Sequence, residues 1–81
     1  MSESILVVDD EREIADLVEL YLKNEGYAVT KAHTAADALV CVDKESISLA
    51  LLDVMLPDGS GFDLCRRIRE KHMFPIIMLT A

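Results

Sequence analysis

The sequence predicts an α/β fold, a doubly wound parallel sheet, and three observations carry that reading. Short continuous apolar runs recur at Ile5-Leu6-Val7-Val8, Leu49-Ala50-Leu51-Leu52 and Ile76-Ile77-Met78-Leu79, the signature of strands covered on both faces. Segments with the 3.6-residue spacing of amphipathic helices separate these runs. Each run then stops at a polar residue: Asp9 and Asp10, Asp53, and Thr80. At 81 residues the chain has room for one domain, and a domain this small buries only roughly 60–65% of the surface its unfolded form exposes.

The elements follow in order. Ile5–Val8 forms the first strand. Ile14, Leu17, Val18 and Tyr21, widened by Leu22, make one helical stripe, and Gly26 is placed to end that helix in the left-handed conformation. Val29 through Ala32 reads as a weaker strand nearer a sheet edge. Thr34-Ala35-Ala36-Asp37 resembles a capping box with Asp in the place of Glu, opening a helix whose apolar face is Ala35, Ala38, Leu39 and Val42. Leu49–Leu52 is the third strand and Pro57–Gly61 a dense turn. Leu64, Cys65 and Ile68 mark a third helix to about Lys71, which Pro75 separates from the strand Ile76–Leu79. Regular alternation of strand and helix implies right-handed βαβ units and a parallel sheet.

Composition narrows the partners. Eight Lys and Arg against 15 Asp and Glu leave a net charge of −7, which argues against direct binding to nucleic acid or an anionic membrane. No stretch approaches the roughly 18 apolar residues of a membrane span, and the N-terminus lacks the basic start of a signal peptide, so the expected location is cytoplasmic. Cys41 and Cys65 lie far apart without CxxC or histidine spacing; both read as small buried hydrophobes rather than a disulfide or zinc site. His33 and His72 are isolated. Met55, Met73 and Met78 read as gap fillers or boundary residues, and Arg66, Arg67, Arg69 and Lys71 as a solvated helix face.

The strand ends carry the chemistry. In a parallel sheet all carboxyl ends share one edge, and neighbouring strands are about 4.8 Å apart, so Asp9, Asp10 and Asp53 converge if their strands are adjacent. Crowded carboxylates call for a hard divalent cation, and Mg²⁺ accepts one or two of them while keeping waters and room for a phosphate oxygen. The plainer alternative is that these acids are solvated and cap helices, Asp10 in particular.

Ile5–Asp10 (ILVVDD), Leu51–Gly61 (LLDVMLPDGSG) and Pro75–Ala81 (PIIMLTA) together closely resemble the receiver domain of bacterial two-component response regulators. Glu13–Tyr27 with Pro75–Ala81 is most similar to the winged-helix transcription-factor branch, and within it to the vancomycin-resistance regulator type. The resemblance implies a CheY-like, flavodoxin-like fold and a set of roles. Asp53 matches the phosphoacceptor that attacks the phosphohistidine of a sensor histidine kinase. Asp10 matches the direct Mg²⁺ ligand, Asp9 the second acid acting through water, and Met55 the residue whose main-chain carbonyl completes the protein's share of the metal shell. Thr80 matches the switch hydroxyl and Ala81 the small residue beside it. Such a domain is not an enzyme in its own right, although an intact one catalyses its own phosphorylation and dephosphorylation.

The chain departs from the family pattern at its end. A receiver has five strands in the order 2-1-3-4-5; four are expected here, alternating with three helices. Residues 1–81 therefore read as the N-terminal part of a receiver. The last strand with its lysine, the last helices and the DNA-binding domain are expected to be absent, so DNA would be reached only through a missing C-terminal domain. An uncovered edge at Ile76–Leu79 would then favour a homo-oligomer, and the alternative function is a self-associating module without phosphorylation. Pro57, Gly59 and Gly61 read as a loop and helix start, not a phosphate cradle. An aspartyl-nucleophile hydrolase is disfavoured, because Met55 stands where its second Asp would be.

Overall fold

Ile5 to Val8 are all buried because their strand is sandwiched within the sheet. A computed structural model describes residues 3–79. The elements run β1 (Ser4–Val8), α1 (Arg12–Asn24), β2 (Ala28–Ala32), α2 (Ala35–Lys44), β3 (Leu49–Asp53), β4 (Met55–Leu56), β5 (Gly59–Ser60), α3 (Gly61–Arg69) and β6 (Ile76–Leu79). The main sheet has the order β2-β1-β3-β6 with every pairing parallel. β2 lies at an edge, as its weak pattern implies.

Alternation along the strands splits the core in two. Leu6, Val8, Ala50 and Leu52 face α2 and α3, where Ala38, Val42, Leu64 and Ile68 bury themselves. Ile5 and Val7 face α1 through Ala15, with Val18 and Leu22 packed at the margin. Helices on both faces make the sheet doubly wound. Leu6, Leu52 and Leu64 are almost wholly buried, and each stabilises the fold by roughly 1.5–3 kcal/mol.

Local chemistry sets the helix ends. Gly26, at φ 93°, lets Tyr27 N–H reach Leu22 O at 3.1 Å and Gly26 N–H reach Lys23 O at 3.0 Å; this pair of hydrogen bonds closes α1. Thr34 Oγ1 accepts from Asp37 N–H at 3.1 Å at the start of α2. Asp10 does not cap α1. Asp9 Oδ1 instead accepts from Glu11 N–H at 2.9 Å.

Two features differ from the sequence expectation. The stripe of α1 is turned: Ala15, Val18 and Leu22 meet the sheet, while Ile14, Leu17 and Tyr21 are exposed. Ala15 lets the helix lie close to β1, and the larger side chains flank that contact. The dense turn also contains order of its own, since β4 and β5 pair antiparallel around Pro57 and Asp58 and Leu56 anchors the hairpin in the core. Cys41 and Cys65 are partly buried against the same core, and burial pushes the Cys41 thiol up. Met78 packs there too, whereas Met55 and Met73 are exposed. Among the described residues no helix is long and apolar enough to cross a membrane.

Lys31 on β2 ties the edge to α1 by donating to Asp16 Oδ1 at 2.5 Å and pairing with Glu19 Oε1 at 3.0 Å. Its hydrogen bonds to both carboxylates hold them below their ordinary values, 3.8 and 4.5, and hold the ammonium above 10.5. Depressed carboxylates stabilise the fold above their unfolded pKa and lose that contribution as pH falls through the folded one; the raised lysine acts below 10.5 and is lost above it. Lys31→Gln is therefore expected to lower the thermal midpoint between about pH 5 and 10, the difference shrinking below pH 4. Melting curves across pH and salt check this, and a pH-independent difference would refute it.

Candidate functional site

Register builds the site. Val8 pairs with Leu52 across β1 and β3, so the residues that follow, Asp9 and Asp53, leave the sheet side by side. The ladder continues past the strands: Asp9 N–H donates to Ala32 O at 3.1 Å and Val54 N–H to Leu79 O at 3.3 Å. One carboxylate oxygen from each of Asp9, Asp10 and Asp53 lies within 4.8 Å of the other two. Asp9 is buried, Asp53 half-buried and Asp10 exposed.

The backbone around each acid is held. Asp9 is fixed at its carboxylate by Glu11 N–H and at its carbonyl by His33, whose Nδ1–H donates to Asp9 O at 2.8 Å. Asp53 Oδ1 accepts from Met55 N–H at 3.3 Å, and among the described residues no donor takes Oδ2. Gly61 N–H donates to Val54 O at 2.7 Å, joining the start of α3 to the residue after Asp53. A Cβ on Gly61 would lie well inside contact distance of the Asp53 carbonyl oxygen, so the close approach requires glycine.

These acids form the floor of an open depression of about 560 Å³, walled by Ile14, Met55, Phe62 and Leu79. With Glu11, its described lining carries four carboxylates and no basic side chain. A concave cup whose described charged groups are all acidic, set among apolar walls, concentrates cations. The donors are all oxygen, which fits a hard divalent ion such as Mg²⁺ held by a few carboxylates and waters, and does not fit a soft metal. Met55, two residues after Asp53, is 79% exposed, and its main-chain N–H is the group that contacts the Asp53 carboxylate. Thr80 and Ala81 lie outside the described residues.

Sequence reasoning missed three contributors. His33 steadies the Asp9 corner. Gly61 does more than start a helix: glycine at the first helical position has no capping advantage, and that is the signal that could have singled it out. Asp58, in the turn between β4 and β5, reaches across to α2: Oδ1 accepts from Ala35 N–H at 2.8 Å and Oδ2 from Ala36 N–H at 3.0 Å. Those two N–H groups hold its carboxyl below the ordinary range.

Comparison with known proteins gives a consistent result. The family model described as "Response regulator receiver domain" matches residues 5–81. The chain is 65% identical over 81 residues to "Regulatory protein VanR" of Enterococcus faecium, covering all of this chain but 35% of the length of that regulator. Among solved structures it resembles the response regulator TrrA of Thermotoga maritima in complex with Mg²⁺ and BeF, with TM-score 0.91 and 38% identity over 98% of this chain and 70% of that one. It matches a response regulator structure from a complex of TrrA with the histidine kinase ThkA equally well, at TM-score 0.91 and 38% identity over 98% of this chain and 69% of the other.

Proposed function

The chain belongs to the response regulator receiver domain family of two-component systems, and from that premise we propose that it accepts a phosphoryl group on Asp53 in a Mg²⁺-dependent reaction. One observation supports this most: carboxylates from two separate strands meet in an acidic cup, with Asp53 held, among the described residues, at one oxygen only. Asp53 acts as nucleophile. Its carboxylate oxygen bonds to phosphorus as the phosphorus–nitrogen bond of a kinase phosphohistidine breaks, the electron pair leaving with the imidazole. The Met55 N–H contact orients the carboxylate for in-line attack. Asp10, Asp53 and the Met55 carbonyl would hold Mg²⁺ directly and Asp9 through water; when bound, the ion offsets charge on the phosphoryl oxygens. The family roles of Thr80, as the hydroxyl bonded to the phosphoryl group, and of Ala81, as the small neighbour, complete the proposal.

A sensor histidine kinase is the proposed donor, supported by the ThkA–TrrA complex. The whole protein is proposed to be a cytoplasmic DNA-binding regulator of the winged-helix branch, a reading supported by the 65% identity to the regulatory protein VanR, of whose length this chain spans about a third. The test is incubation with a small acyl phosphate donor. Incorporation that needs Mg²⁺, is abolished by chelation and is released by hydroxylamine is expected; absence of labelling, or labelling indifferent to Mg²⁺, would count against the reading.

A second reading, self-association, is favoured by β6: among the described residues it lies at an edge of the sheet and Ile77 is half exposed there. An uncovered apolar strand is a template for another. Sedimentation of residues 1–81 at micromolar concentration is expected to give a dimer or larger species, and a compact monomer would refute it.

A further inference from the structure

Asp58 stands apart from the residues that would touch a metal or a phosphoryl group, yet its carboxylate bonds the hairpin that follows Asp53 and Met55 to the start of α2. The first N–H groups of α2 have no partners within the helix. Thr34 Oγ1 satisfies Asp37 N–H. The N–H groups of Ala35 and Ala36 are taken by the two oxygens of a single carboxylate more than twenty positions away. A carboxylate spanning two adjacent N–H groups at the positive end of a helix is a strong, directional, charge-assisted contact. It is also the outer fastening of the β4–β5 hairpin; the inner one is Leu56, buried in the core. Met55 lies between Asp53 and Leu56, and its N–H bonds Asp53 Oδ1. The hairpin's position thus sets where the Met55 carbonyl and the Asp53 carboxylate sit relative to each other.

We propose that Asp58 is a positioning residue for the acidic site: by clamping the loop that carries Met55 onto the N-terminus of α2, it fixes the metal-binding geometry and links that site to α2. This rests on the metal-binding role proposed above for Asp9, Asp10, Asp53 and Met55. Groups that orient a metal's ligands from outside typically contribute about tenfold or more to affinity. The link also runs in reverse: occupation of the site tightens the hairpin and is felt at Ala35 and Ala36, the point where β2 hands over to α2.

The test uses Mn²⁺ as a paramagnetic stand-in for Mg²⁺, with binding followed by electron paramagnetic resonance, and amide signals of Ala35 and Ala36 followed by NMR during Mg²⁺ titration. Asp58→Ala is expected to weaken Mn²⁺ binding about tenfold and to abolish the Mg²⁺-dependent shifts of both amides. Asp58→Asn, which keeps one acceptor oxygen and the side-chain shape, is expected to fall between, and it serves if the alanine variant folds poorly. Thr34→Ala removes a cap from the same helix without touching the hairpin; it is expected to lower the thermal midpoint with Mn²⁺ affinity unchanged, which separates positioning from general stability. Unaltered affinity in both Asp58 variants, or an equal loss in Thr34→Ala, would overturn the proposal. Failure of the underlying metal reading is distinct, because the unmodified protein would then bind no Mn²⁺ saturably.

Discussion

Asp53→Asn is expected to reduce Mg²⁺-dependent labelling by an acyl phosphate donor to background. The amide keeps the volume of the carboxylate and an oxygen to accept from Met55 N–H, but a neutral amide oxygen is too weak a nucleophile to capture phosphorus. The same variant carries a second signature. Three carboxylates with oxygens within 4.8 Å of one another repel, and removing one charge relieves on the order of 1 kcal/mol in a partly solvated site. The metal-free variant is therefore expected to melt higher than the unmodified protein at low ionic strength, and to gain less on adding Mg²⁺, since a ligand stabilises only in proportion to its preference for the folded state. Labelling, and melting with and without Mg²⁺, read the two effects independently. Persistent labelling of the variant would move the acceptor elsewhere; a lower metal-free midpoint would mean the cluster is not electrostatically strained.

The second large effect is expected at Gly61. An added Cβ would meet the Asp53 carbonyl oxygen well inside contact, its carbonyl carbon at 2.9 Å and Met78 Cε at 3.1 Å. Met78 can swing aside. The Asp53 main chain cannot, because it is the last residue of β3, registered against Leu79. Gly61→Ala should therefore cost about 3 kcal/mol or more, at the upper end of overpacking effects, and displace the acceptor enough to weaken Mg²⁺ binding. Ser60→Ala is the comparison: it removes the Ser60 Oγ acceptor of Phe62 N–H, a cap at the same helix end worth about 1 kcal/mol, without touching Asp53. Denaturant unfolding and Mg²⁺ titration of both variants check the pair. Equal, mild losses would refute the steric argument.

The sequence made the sheet and the acidic residues legible for one physical reason: both are written in consecutive residues. A strand buried on both faces must be continuously apolar, so Ile5–Val8 and Leu49–Leu52 declare themselves, and the aspartates mark where the chain re-enters water. Parallel topology puts Asp9, Asp10 and Asp53 on one edge of the sheet, and the β1–β3 pairing brings them side by side. The helix face of α1 was less accessible. Spacing identifies a stripe but does not choose between adjacent stripes, and bulk misleads; the sheet takes small Ala15, while Ile14, Leu17 and Tyr21 remain outside. Gly61 and Asp58 were illegible for another reason. One matters through a contact with the Asp53 backbone and the other through bonds to α2, and neither partner can be inferred from neighbours in the chain. The receiver resemblance supplied roles for Asp53, Asp10 and Met55, but no role for Asp58.

The all-parallel pairing of the main sheet also bears on how the chain folds. No two of its neighbouring strands are joined by a hairpin; each contact waits on a crossover helix, and such non-local topologies fold slowly because loop-closure entropy precedes the reward. Asp9 and Asp10 are neighbours from synthesis onward, but Asp53 joins them only when β3 docks on β1. A partly folded chain thus offers a cation two carboxylates and never three. Three-carboxylate coordination is therefore conditional on topology: the acidic cup exists only in chains that have completed the β1–β3 crossover.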